Sequence, residues 1–137
     1  MSVVYSSTLK NNRMQLVADL IAGKVAATST GTATAGVLVI GTSALSGATG
    51  VLATFTLGTT PGTVSGGVLT ISGTPLTTTA SATGTAAKAE LRDNSGNVIV
   101  TGLTVDVSAN SPNIVINATA ISSGQSVTLS SGTITHG

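Results

Sequence analysis

The sequence predicts an all-β protein, an antiparallel β-sandwich or jelly-roll with one N-terminal helix. Three observations carry this. Short runs rich in Val, Ile, Leu and Thr recur along the chain, separated by Gly, Pro, Ser and Asn punctuation. Only one stretch, near the N-terminus, has the 3.6-residue period of a helix, so the helices that a parallel α/β sheet needs between strands are missing. Residues 85–101 show the alternation and turn chemistry of an antiparallel hairpin.

That hairpin is the clearest local signal. Ala87, Ala89 and Leu91 alternate with Lys88, Glu90 and Arg92, the pattern of a strand with one face toward water. Asp93-Asn94-Ser95-Gly96-Asn97 reverses the chain, and Val98–Thr101 returns. Val98 and Val100 are even-numbered, whereas Leu103, Val105 and Val107 are odd-numbered, so the side-chain phase flips at Gly102. A one-residue shift there predicts a bulge or tight bend at Thr101-Gly102.

Before the sheet, Ser6 or Ser7 can cap a helix over about Leu9–Ala22, with Gly23 placed to end it in a left-handed conformation. On the helical wheel Leu9, Met14, Leu16, Val17, Leu20 and Ile21 form a broad apolar arc, and Asn12, Gln15 and Asp19 lie opposite. Lys10 and Arg13 fall within the arc, where their stems can cover apolar surface while their charges reach water, or can meet a neighbouring subunit. Leu9, Arg13, Leu16, Val17 and Leu20 are the expected partner-contact residues. Ala26–Gly36 is a run of Ala, Thr, Ser and Gly without a large side chain, the composition of a linker or extended arm. The expected organisation is therefore a helix and arm over residues 1–36 and a β-sandwich over residues 37–137.

Strands are expected at Val37–Ile40, Val51–Leu57, Val68–Ile71, Thr85–Arg92, Val98–Thr101, Leu103–Val107, Ile114–Ile116, Ser126–Leu129 and Thr133–Thr135. Turns are expected at Ser46-Gly47, Pro61-Gly62 (type II), Ser65-Gly66-Gly67, Ser111-Pro112 and Ser123-Gly124. Gly-Val-Leu recurs at 36–38, 50–52 and 67–69, but the unequal spacing marks a strand-opening phrase and not a solenoid repeat.

Composition limits the function classes. Only Tyr5 and Phe55 are aromatic, so the core must be built from aliphatic side chains, and no cysteine is present to form a disulfide or ligate a metal. Charged residues make up 7% of the chain and residues 25–87 contain none. Soluble domains usually carry about a quarter charged residues, and so neutral an exterior suits a subunit covered by neighbours in an assembly. A net charge of +1 with two rings supplies neither the basic stripe nor the stacking platform that nucleic acid needs. No run approaches a membrane span, and the N-terminus lacks a signal peptide, so synthesis in the cytoplasm without export is expected.

Catalytic patterns are also missing. The sole histidine, His136, is penultimate, which disfavours a Ser-His-Asp arrangement. The acids Asp19, Glu90, Asp93 and Asp106 show no sign of converging as a general acid and base. Asp93, Ser95 and Asn97 match the first ligand positions of a calcium loop, but Val98 stands where that loop needs glycine and Thr104 where it needs glutamate. No catalytic, cofactor-binding or metal residues are expected, and no cofactor or small-molecule substrate.

The segments STLKNNRMQLVADLIAGK, TVSGGVLTISG, SATGTAAKAELRDNSGNVIVTGLTV and ISSGQSVTLSSGTITHG together resemble a family of small structural proteins from tailed-phage and prophage virion modules. Within it, the chain is most similar to the jelly-roll cement, or decoration, proteins of Bordetella-type phage capsids. The resemblance implies a non-enzymatic, dimeric β-sandwich that sits on the capsid surface of the virion and bridges neighbouring major capsid proteins. A tail or head-fibre component, or a receptor- or glycan-binding β-domain, is the alternative.

Overall fold

A computed structural model of the chain describes residues 6–24, 31, 34–57, 62–107 and 112–135. It is a β-sandwich with one helix, α1 (Ser7–Ile21). Ser6 is the N-cap: it stands in an extended conformation and its Oγ accepts from Leu9 N at 3.2 Å. At the other end Gly23 has φ +70°, the left-handed stop that the sequence predicts.

Among the described residues eleven strands follow: β1 (Val37–Ser46), β2 (Thr49–Thr56), β3 (Gly62–Ser65), β4 (Val68–Ile71), β5 (Leu76–Thr79), β6 (Gly84–Thr85), β7 (Lys88–Arg92), β8 (Val98–Asp106), β9 (Ile114–Ile116), β10 (Ala120–Ile121) and β11 (Ser126–Thr135). Nine of them form one hydrogen-bonded path, β2-β1-β7-β8-β9-β11-β4-β3, with β5 added to β11; β6 and β10 pair separately. The path folds into two layers. β2, β1, β7 and the first part of β8 make one, and β3, β4, β11, β5 and β9 make the other. β8 joins them: up to Thr104 it pairs antiparallel with β7, and from Val105 it runs parallel to β9, the one parallel pair among the described residues.

Each Gly-Val-Leu phrase delivers a leucine to the interior, because Leu38, Leu52 and Leu69 are all buried. They share one core with Phe55, Leu91, Ile114, Ile116, Val127 and Leu129, and the helix adds Met14, Ala18 and Ile21 to the same cluster. Apart from Phe55, aliphatic side chains fill this interior, each buried large side chain contributing about 1.5–3 kcal/mol.

Several elements differ from the sequence expectation. β1 extends to Ser46 instead of stopping at Ile40, because the apolar pattern ends but backbone pairing resumes at Ser46↔Thr49. The expected strands at 98–101 and 103–107 are one strand, with Gly102 at φ +75° forming the bulge between Val100↔Leu91 and Leu103↔Ala89. Ser126–Leu129 and Thr133–Thr135 likewise merge into β11 around a bulge near Ser130. The expected strand Thr85–Arg92 divides, since Thr85 pairs with Ala120 while Lys88 begins the ladder to β1. β3 and β5 were hidden by their Thr- and Ser-rich composition and are held by their partners β4 and β11. Gly62 belongs to β3. Pro61, Ser111, His136 and most of the Ala26–Gly36 arm lie outside the described residues.

Candidate partner-binding surface

α1 contacts β3, β4 and β8, so it lies against both layers. Its inward residues are Met14, Ala18, Ile21 and Ala22, all buried. Ala18 is small enough to let the helix axis approach, and Gly36 allows its C-terminal end to close in, since a Cβ there would stand 2.5 Å from Ile21 Cγ2. At the N-terminal end, Asn11 Oδ1 accepts from Gly67 N at 2.6 Å, tying the helix to the β3–β4 turn. Lys10 lays its stem against Gly67, as its place in the arc suggested.

The apolar arc read from the sequence therefore splits. Only its Met14–Ile21 side faces the core, while Leu9, Leu16 and Leu20 remain 39%, 40% and 43% exposed. Leu16 stands two residues from Met14, about 200° around the helix, so the leucines occupy the side away from the sheet. Asp19 corrects the expectation of a polar outer face: it is 3% exposed, and Oδ1 accepts from Gln15 Nε2 at 3.0 Å. A buried carboxylate is tolerated only with such partners. The expected contact residues thus come together as a ridge, Leu9, Leu16 and Leu20 at its crest and the half-buried Arg13 and Val17 on its flank. From Leu9 to Leu20 the ridge is about 16 Å long at 1.5 Å per residue.

The wet face expected for β7 holds at Lys88, which is exposed, but not at Glu90. Glu90 is 6% exposed, and its Oε2 accepts from Arg92 Nε at 3.0 Å and Nη2 at 2.7 Å. Its other oxygen accepts from Thr101 Oγ1 at 3.4 Å. Arg92 Nη2 also donates to Gly47 O at 2.8 Å. The pairing Val39↔Glu90 gave no sequence signal, because it depends on which strand lies beside β7.

At the Asp93 turn, Oδ1 accepts from Ser95 N and Asn97 N, each at 2.9 Å, and Oδ2 accepts from Asn97 Nδ2 at 2.9 Å. The Asn97 side-chain amide, followed by its backbone N–H, holds the Asp93 carboxyl below its ordinary pKa. Hydrogen bonds of the turn itself thus occupy the carboxylate that a calcium loop would aim at an ion.

A cleft of about 530 Å³ opens where β8 leaves β7 for β9, lined in part by Thr85, Thr104, Asp106 and Thr119. Asp106 Oδ1 accepts from Val107 N at 2.7 Å. Nothing in the sequence signals that these residues converge, because they come from segments far apart in the chain. Among the described residues that line it, the cleft offers hydroxyls and one carboxylate. Among the described residues no cluster of three or more His, Cys, Asp or Glu side chains could hold a metal ion, and no helix is long and apolar enough to cross a membrane.

Neither a family model, nor a curated protein, nor a solved structure matches the chain.

Proposed function

We propose that the protein is a virion structural subunit, a cement that binds the outside of a phage head and bridges major capsid proteins. The observation that carries this reading is the α1 ridge: Leu9, Leu16 and Leu20 stand exposed on a helix that is anchored by its other side. Isolated exposed leucines are ordinary, but three on one helical face form a stripe suited to docking in an apolar groove. The low charge content favours lattice contacts over a free existence. A subunit that touches two capsid proteins at once gains avidity from effective concentration, so weak neutral contacts suffice. The sequence resemblance to cement proteins points the same way.

The test is addition of purified protein to particles stripped of it, with binding followed by co-sedimentation and shell integrity by heat or chelator challenge. Stoichiometric binding that protects the shell is expected, and Leu16→Glu should abolish it while the variant keeps its native circular dichroism. Absence of binding, or full binding by Leu16→Glu, overturns the reading. The threonine-lined cleft favours a second reading, a glycan-binding β-domain, which requires the isolated protein to retain glycans in a binding array.

A further inference from the structure

The β1–β2 hairpin does not run straight. Val37 pairs with Arg92, and Gly47 lies ten residues further on at the hairpin tip, so a straight strand would carry Gly47 about 33 Å from Arg92. Instead Gly47 O lies 2.8 Å from Arg92 Nη2. An arginine side chain spans only about 7 Å, so the tip must double back over the outer surface of the first layer. The ladder shows where. It is regular to Ile40↔Ala53, shifts at Gly41↔Val51, and resumes only at Ser46↔Thr49, leaving residues 42–45 opposite Gly50 alone.

Glycines make both sides of this fold possible. A Cβ at Gly41 would stand 2.6 Å from Gly50 O and 2.7 Å from Leu45 Cδ1, and Gly50 itself has φ +73°. Val39, 2% exposed, pairs with Glu90 on β7, whose Arg92 partner holds the tip, and Leu45, 9% exposed, comes from the tip itself. Val39 and Leu45 are not part of the main core cluster.

The geometry points to a hinged strap: residues 42–49 open about Gly41 and Gly50 while both layers stay folded, and Arg92 is the latch. The strap has its own small apolar contact and a hydrogen bond from one side chain, so its release leaves the main core intact. Opening uncovers Val39, Leu45 and Glu90 together, an apolar surface with one carboxylate on the outside of the first layer.

Because the chain has no cysteine, a single introduced thiol reports the opening. Val39→Cys under the strap and Val127→Cys in the main core are labelled with a thiol reagent across a series of low denaturant concentrations. Val39→Cys should react at least about tenfold faster, with much weaker denaturant dependence, because it needs only local opening. Adding Arg92→Gln should speed Val39→Cys labelling at least about threefold and keep that weak dependence. Leu45→Cys serves as a second reporter if Val39→Cys does not fold. Equal rates and equal denaturant dependence at the strap and core sites overturn the strap, and an unchanged strap rate in Arg92→Gln overturns the latch.

Discussion

At the scale of single residues, two carboxylates close in sequence have opposite surroundings. Asp93 is half-buried in a surface turn and its pKa is lowered, first by the Asn97 side-chain amide and then by backbone N–H groups. Folding therefore favours its charged form. Its contribution to stability is fully present above the unfolded carboxyl's pKa and disappears as pH falls through the lower, folded value. Asp93→Ala should melt below the wild type at neutral pH, and the gap should close in acid below the ordinary carboxylate range, as followed by thermal denaturation. Glu90 is buried and held by Arg92, whose side chain is 13% exposed. Removing either partner strands the other in a poorly hydrated site. Glu90→Ala and Arg92→Ala are each expected to lose about 1–3 kcal/mol, with a favourable coupling in the double-mutant cycle measured by urea denaturation. The sequence showed both carboxylates but could distinguish only Asp93, whose partners lie within four residues.

At the scale of elements, the β3–β4 turn shows how a local preference and a distant contact combine. Gly66 and Gly67 have φ +59° and +77°, so both favour glycine. A Cβ on Gly66 would meet nothing within 4 Å, whereas one on Gly67 would lie 3.0 Å from Lys10 Cβ. Gly66→Ala should cost about 1 kcal/mol from backbone strain, and Gly67→Ala measurably more in chemical denaturation because the helix must also shift. The helix itself was legible from its Ser6 cap, its Gly23 stop and its apolar period. Which part of the arc faces the sheet was not legible. A wheel weights Leu16 and Leu20 above Ala18, but the layers accept the side on which small Ala18 permits close packing.

At the scale of the whole molecule, Met14, Ala18 and Ile21 belong to the same core as Leu38, Leu91 and Val127. The helix is therefore coupled to both layers. Met14→Ala should lower global stability by about 2–4 kcal/mol, shifting the denaturation midpoint of helix and sheet signals together. Leu20→Glu, on the exposed ridge, should change stability by less than about 0.5 kcal/mol and affect partner binding only. The contrast separates the role of α1 as a wall of the core from its proposed role as a docking ridge.

The sequence by itself determined what short-range stereochemistry can dictate: the helix and its ends, the Asp93 turn, the Gly102 bulge and the strand-opening leucines at 38, 52 and 69. Tertiary structure decided the rest: the parallel β8–β9 pairing, the burial of Glu90 and Asp19, the exposed leucine ridge and the tip folded back onto Arg92. The division has a physical cause. Caps, turns and alternation depend on neighbours within a few residues, whereas the face that loses its water is set by groups such as Gly47 and Arg92, 45 positions apart in the chain.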